Sequence, residues 1–246
     1  MKEKSNFNAK VKHFLAQNQL ECFATDEICD KFYQLTEIMN EVGKNMNLTA
    51  IRDEDGIILK HYVDCLLAAD EKILPKGSKV IDVGCGAGFP SFPFAIARPD
   101  LDILGVDSTA KKVNYVNSTA RELGLSNLHA ESYRAEEKSG GPLRESFDIA
   151  TARAVAALPV LCELCLPYVK VGGSFVALKG KTGDIELENA KNAIKTLGGS
   201  VSELIQAKLV GEEEDQNDRT VIIIKKVKPT PKDYPRKYSQ IVKAPL

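Results

Sequence analysis

The stretch Lys79–Pro90 constrains this chain more than any other. A β-rich run, Lys79–Val83, passes directly into Asp82-Val-Gly84-Cys-Gly86-Ala-Gly88-Phe89-Pro90. Three glycines at a strand-to-helix turn let a ligand approach the backbone closely. Beyond this turn, strand-like and helical segments alternate. Strands are predicted at Lys79–Val83, Asp102–Asp107, Asn127–Ser132, Phe147–Thr151, Ser174–Lys179, Ser200–Ala207 and Thr220–Lys226. Helices are predicted at about Phe92–Ala97, Ala110–Leu123, Leu158–Tyr168 and Asp184–Leu197. That rhythm means parallel strands with crossover helices, a doubly wound α/β sheet. No helix separates the last two strands. The acidic stretch Gly211–Asp218 between them reads as a hairpin loop, so the sheet ends antiparallel.

Residues 1–75 read differently, as helices. Thr25 precedes apolar side chains at Ile28, Phe32, Leu35, Met39, Val42 and Met46, in steps of three and four that form one helical face. Asp26 and Glu27 fall in the first turn, where acids suit the helix dipole. A further helix is predicted from about Asp53 to Asp70, ended by Pro75 and Gly77. The expected organisation is a helical extension at 1–75, a Rossmann-like domain at 76–228 and a basic tail at 229–246. A length of 246 residues suits one sizeable domain with such extensions.

The glycine turn has the form GxGxG. A dinucleotide fingerprint would be GxGxxG, and Phe89 stands where its third glycine is needed. With Asp82 two residues ahead, this form suits a ligand bringing a carboxylate and an amine to the turn, such as S-adenosylmethionine. The alternative is a tight turn without a ligand. Asp107 ends the second strand 23 residues after Gly84, placed to reach a ribose diol. It could equally begin the next helix, a role Ser108 could also fill. The terminal hairpin is a hallmark of class I methyltransferases and is foreign to nicotinamide-dependent dehydrogenases.

Charge and cysteine usage set further limits. The chain carries 33 Lys+Arg against 34 Asp+Glu. The segment after 224 holds seven bases and one acid, so a +6 tail follows a −7 body. Such a tail permits an anionic partner without requiring one. No apolar run approaches the ~18 residues of a membrane span, and the N-terminus lacks a signal-peptide core. The chain is therefore read as cytoplasmic, without a membrane partner. Cys162 and Cys165 have metal-like spacing but no second pair, and are read as buried small hydrophobes. His13, His61 and His129 lie on unlike segments, so no metal site is expected.

Chemistry in such folds sits at the carboxyl ends of the strands. The fourth strand leads into Thr151-Ala-Arg153 and the fifth ends Leu178-Lys179-Gly180, while Arg134-Ala135-Glu136 follows the third. An Asn/Asp-Pro-Pro-aromatic turn, used for exocyclic amines, is missing. So is a Pro-Cys pair, used for pyrimidine carbons. The Lys-Asp-Lys-Glu set of ribose methylation has Lys179 as one possible member, but Thr151 replaces its strand-four acid. A nucleophile needing no deprotonation remains, such as guanine N7. Transfer to it is an in-line displacement accelerated by positioning. His61 and Asp64, three residues apart, could pair across one helical turn.

Several of these segments together resemble the 16S ribosomal RNA guanine-N7 methyltransferase G family, also called glucose-inhibited division protein B. They are Asn47-Leu-Thr49, Lys60-His61-Tyr-Val-Asp64-Cys-Leu66, the glycine turn, Ala152-Arg153-Ala154, Lys179-Gly180, Tyr234-Pro-Arg-Lys237 and the terminal Lys243-Ala-Pro-Leu246. The tail is similar to that of the Gram-positive branch. The resemblance implies S-adenosylmethionine as cofactor and 16S rRNA or the small ribosomal subunit as partner, with a guanine of the decoding-region loop methylated at N7. It implies a cofactor site of Asp82, Gly84, Gly86, Gly88, Phe89, Asp107, Ala135, Glu136 and Arg153. Gly84 and Phe89 would line the pocket, Ala135 and Glu136 would flank the adenine, and Asp107 the ribose. Arg153 would position the methionine end or RNA, and Lys179 would face the RNA. Arg153, Lys179, His61 and Asp64 are the catalytic candidates, and a monomer is expected. The family usually has glycine after Phe-Pro; here Ser91 stands there, at a position where it could cap a helix. Two other readings stay open: a methyltransferase of a small molecule or protein, and a non-catalytic ribosome-binding module.

Overall fold

The centre of the molecule is β1 (Lys79–Val83), buried at four of its five residues. In the computed structural model, which describes residues 2–211 and 218–246, it pairs in parallel with β2 (Asp102–Asp107) and β4 (Phe147–Arg153). The sheet has seven strands in the order β3-β2-β1-β4-β5-β7-β6. Its other members are β3 (Leu128–Ser132), β5 (Val169–Lys179), β6 (Gly199–Lys208) and β7 (Asp218–Lys226). The last of these inserts antiparallel between β5 and β6, as the hairpin reading requires. The hairpin's expected loop, Gly211–Asp218, lies almost wholly outside the described residues. The chain leaves β1 toward β2 and returns to β4 on the other side, which opens a crevice at the carboxyl end of β1.

Alternation along the strands separates two hydrophobic cores. Val80, Ile103 and Ile149 face one core; Ile81, Leu104 and Ala150 face the other. The first core holds α1 (Lys2–Gln17), α2 (Asp26–Val42), α5 (Ser91–Ala97) and α6 (Ala110–Glu122). It also holds the helical run formed by α3 (Glu54–Ile57), a wider π-helical turn at Ile58–Val63, and α4 (Asp64–Leu66). Phe32 stacks on Tyr62 at 4.3 Å between ring centres, and the Tyr62 and Thr36 hydroxyls hydrogen-bond at 2.7 Å. The N-terminal helices thus share one core with the sheet. The second core is covered by α8 (Leu158–Cys165) and α9 (Gly183–Thr196). Two short helices complete the chain: α7 (Ala135–Lys138) and α10 (Tyr238–Lys243).

Several boundaries differ from expectation for physical reasons. β5 starts at Val169, five residues earlier than predicted, because Gly172 and Gly173 sit inside the strand. A Cβ on Gly173 would lie 2.4 Å from the Asp148 carbonyl oxygen, so the pair marks a close backbone approach beside the register shift at Phe147/Ile149. β4 runs two residues beyond Thr151, which makes Arg153 a strand residue paired with Leu178. The helix predicted to reach Tyr168 ends at Cys165 and continues as a 3-10 turn at Leu166–Tyr168. Met46 lies beyond the end of α2 but still packs on the same core. Thr25 caps α2 as its sequence suggests, accepting the Ile28 N–H. Cys162 and Cys165 are buried free thiols, pushed well above their ordinary pKa by burial. No described helix is long and apolar enough to cross a membrane.

Candidate functional site

The glycine turn is built by backbone. Gly84 and Cys85 N–H both donate to the Val106 carbonyl oxygen, at 2.8 and 3.0 Å, which ties the loop to β2. Gly84 has φ +76°, and a Cβ there would lie 2.6 Å from Val155 in the loop after β4. Gly88 has φ +86°, and a Cβ there would lie 2.2 Å from the Phe92 ring. Side chains are thus excluded both by backbone conformation and by space. Asp107 closes the other side of the loop: Oδ2 accepts the Gly86 N–H at 3.1 Å and Oδ1 accepts the Thr109 N–H at 2.8 Å. The N-cap residue of α6 is Thr109, and no side chain caps the helix, so Asp107 holds the backbone just ahead of α6 and neither it nor Ser108 is the cap. Each carboxylate oxygen retains further acceptor capacity.

Beneath the loop lies Asp82, fully buried. Its Oδ2 accepts the Ser91 hydroxyl at 2.5 Å, whereas Oδ1 has no partner. Burial pushes this carboxyl up to about 7, against opposing pulls from Ser91 and Arg153. Ser91 is thus a correction to the capping expectation. Its hydroxyl turns inward to the carboxylate, and the residue before α5 is Pro90. Across the β1–β4 ladder from Asp82 stands Thr151, whose buried hydroxyl also lacks a partner. Unpartnered buried polar atoms are costly, and here they cluster at one strand end.

A cavity of about 200 Å³ opens above these groups. Gly84, Asp107, Ala135 and Glu136 line it, four of the nine residues expected to hold a cofactor. Asp82, Gly86, Gly88 and Phe89 do not line it: the two glycines shape the turn, Asp82 is buried, and Phe89 packs on His61. The sequence reading missed Tyr133, Arg134 as a wall residue, Val155 and above all Tyr238, which lies 74 residues beyond the next wall residue, Leu164. The site fits S-adenosylmethionine: an orphaned buried carboxylate oxygen suits an ammonium, the side-chain-free Gly84 leaves the backbone open, and Asp107 suits a diol.

Arg153 belongs to a neighbouring cleft of about 190 Å³ at the ends of β4 and β5. Between the two cavities Ala154 turns the chain with φ +56°, a strained value for a residue with a side chain. Arg153 Nη1 donates to Asp64 Oδ2 and to the Lys60 carbonyl, both at 2.9 Å. Nη2 lies 3.2 Å from His61 Nδ1, and buried Nε has no partner. Asp64 Oδ1 accepts Arg219 Nε at 2.8 Å, so one carboxylate bridges two guanidiniums. Arg219, on β7, was not among the expected site residues.

This network sets the tautomer of His61. A guanidinium can only donate, so Nδ1 must accept, and the proton sits on Nε2, 2.7 Å from Thr49 Oγ1. Burial first, then Arg153, pushes the imidazole down to about 3, so it is neutral. The ring stacks on Phe89 at 4.5 Å, and Arg153 sits over that same phenyl ring at 5.3 Å. The residues His61, Asp64, Phe89 and Arg153 are therefore one packed cluster. The expected His61–Asp64 pair is replaced by separate contacts of each with Arg153, because the π-helical turn spaces them differently. Lys179 is also a correction. Rather than facing outward, its side chain is 8% exposed, with Nζ 2.7 Å from Glu186 Oε2 and 2.8 Å from the Ala156 carbonyl.

Comparison with known proteins follows the geometry. The profile of the family described as rRNA small subunit methyltransferase G matches residues 28–215. A Clostridium perfringens protein named ribosomal RNA small subunit methyltransferase G is 43% identical over 217 residues, covering 88% of this chain and 90% of that protein. One of the same name from Exiguobacterium sibiricum is 43% identical over 233 residues, covering 94% and 96%. Among solved structures, the [4+2]-cyclase SpnF superposes with a TM-score of 0.55 at 16% identity, covering 82% of this chain and 95% of that one. M. jannaschii TYW2 in complex with AdoMet gives 0.53 at 12% identity, covering 71% and 77%. These two likenesses speak for the fold alone. The sequence matches span most of both partners, and by them the chain belongs to the rRNA small subunit methyltransferase G family.

Proposed function

We propose that this protein transfers a methyl group from S-adenosylmethionine to N7 of a guanine in 16S rRNA. One observation carries the choice of acceptor. Three of the four catalytic candidates beside the cofactor cavity are held by other groups: neutral His61 by Arg153 and Thr49, Asp64 by two guanidiniums, Lys179 by Glu186; the fourth, Arg153, is a permanent cation. None of these is left to remove a proton, and Asp82, Asp107 and Glu136 are assigned to the cofactor on this reading. Guanine N7 offers a free lone pair and needs no base. The bound cofactor supplies an electrophilic methyl group on a sulfonium. The chain supplies position: Asp82 Oδ1 faces the ammonium, Asp107 the ribose hydroxyls, and Ala135 and Glu136 the adenine edge. Arg153, held by Asp64, presents Nε–H toward the methionine carboxylate or the RNA. Proximity and orientation of this kind account for large rate factors without acid–base chemistry.

On this reading residues 1–75, 76–228 and 229–246 are units of function, since the first and last share cores with the sheet. A monomer acting in the cytoplasm is part of the same reading. The test is transfer of label from S-adenosylmethionine to 16S rRNA, naked and within small subunits, taken from cells lacking the protein. Label in rRNA is the expected result. Label recovered only in protein or small molecules would shift the acceptor class. Cofactor binding without any transfer would favour a non-catalytic ribosome-binding module.

Two predictions arise here. Cofactor binding needs ionised Asp82, whose carboxyl sits near 7, above its unfolded value of 3.8. Affinity is therefore level above pH 7 and falls by about tenfold per pH unit below it. Asp82→Asn should bind more weakly and lose that component of the pH profile, which calorimetry across pH 5.5–8.5 (about the span needed on either side of the titration) would check. The second concerns the tail. Lys226 and Arg236 are engaged internally, but Lys232, Lys237 and Lys243 are exposed. Changing these three to Gln should lower the log–log salt slope of RNA binding by about 2. An unchanged slope would remove the tail from the RNA contact surface.

A further inference from the structure

The basic tail is not a loose arm. Arg144 donates to the carbonyl oxygens of Tyr234 at 2.8 Å and Thr230 at 2.7 Å. Glu163 is a fully buried acid in the otherwise apolar helix α8, and a buried charge demands a partner. Arg236 provides it, with Nε 2.9 Å from Oε1 and Nη2 2.6 Å from Oε2. Ile241, one turn into α10, is buried in the second core. Between these two anchors stands Tyr238. Its ring is 40% exposed, yet it lines the cofactor cavity and lies 5.7 Å from the Arg134 guanidinium.

The order of the sheet says which part of the cavity this is. The ends of β1, β2 and β3 lie side by side, so Gly84, Asp107 and Ala135 succeed one another across the site. If the first serves the methionine end and the second the ribose, the third is the adenine end. Arg134 immediately precedes Ala135, and Tyr238 packs on Arg134. We infer that Tyr238 is a cofactor-binding residue, delivered by the docked C-terminal segment, that forms the outer aromatic wall of the adenine subsite. This rests on the cofactor reading above and adds a specificity-determining residue to it.

The chain contains no tryptophan, which makes the test direct. Tyr238→Trp creates a single tryptophan that can be excited apart from the tyrosines, and saturable change of its fluorescence on adding S-adenosylhomocysteine or adenosine is expected. Because the side chain is half exposed, Tyr238→Ala should keep the melting temperature of the wild type. By calorimetry it should bind both ligands about tenfold more weakly, the scale of base–aromatic stacking. Tyr238→Phe should bind as wild type. Wild-type affinity in Tyr238→Ala, a silent tryptophan under saturating ligand, or weakened S-adenosylhomocysteine with unchanged adenosine would each overturn the inference while leaving the cofactor reading intact. Absence of binding by the wild-type protein would overturn both.

Discussion

Gly84→Asp is expected to weaken S-adenosylmethionine binding by about 100-fold or more and to abolish methyl transfer. Three effects add. The φ of +76° strains any residue with a side chain, at a cost of about 1–3 kcal/mol. The new Cβ meets Val155 at 2.6 Å. The new carboxylate enters the cavity beside buried Asp82, where like charges repel in a low dielectric. Gly124→Asp separates strain from site: its φ is +67°, with nothing within 4 Å of a Cβ. That variant should lose similar stability and keep cofactor affinity. Equal losses of affinity in both variants would mean that Gly84 acts only through the fold.

The second large effect is on stability. Asp64 is 8% exposed and is the carboxylate partner of both Arg153 and Arg219. Asp64→Ala leaves a buried guanidinium without its counter-charge, an alteration that costs about 3–5 kcal/mol. For a chain of this size the melting temperature should fall by about 10 °C. Asp64→Asn retains an acceptor and should lie between. Arg153 would lose its hold on the His61–Phe89 stack, so residual enzyme should show lower kcat as well as weaker cofactor binding. A melting temperature within about 2 °C of wild type would remove the bridge from the account.

What was legible in the sequence was local. The glycine turn, Asp107 and the seven strands each have signals within a few residues, and the terminal hairpin follows from a missing helix. What was not legible depends on partners far along the chain. Glu163 in an apolar helix was a signal that a cation must come from elsewhere, but nothing nearby named Arg236. Tyr238 reaches the cavity only because that pair and Ile241 dock the tail. Lys179 sits at the predicted strand end, yet its long side chain bends to Glu186 instead of extending outward. The π-helical turn at Ile58–Val63 has no simple periodicity, so the separate approach of His61 and Asp64 to Arg153 could not be read from their spacing. Ser91 illustrates a different limit: a serine at a helix start usually caps, but a buried carboxylate beneath it competes more strongly.

The central claim is that the site works by positioning an acceptor that needs no base. The most direct measurement is the identity of the methylated nucleoside, obtained by digesting 16S rRNA after transfer from labelled S-adenosylmethionine. The account predicts all label in 7-methylguanosine, lost in Gly84→Asp. Label in a 2′-O-methyl ribose or an exocyclic N-methyl group would contradict it, since both reactions call for a proton acceptor, and His61, Asp64 and Lys179 are each held by other groups.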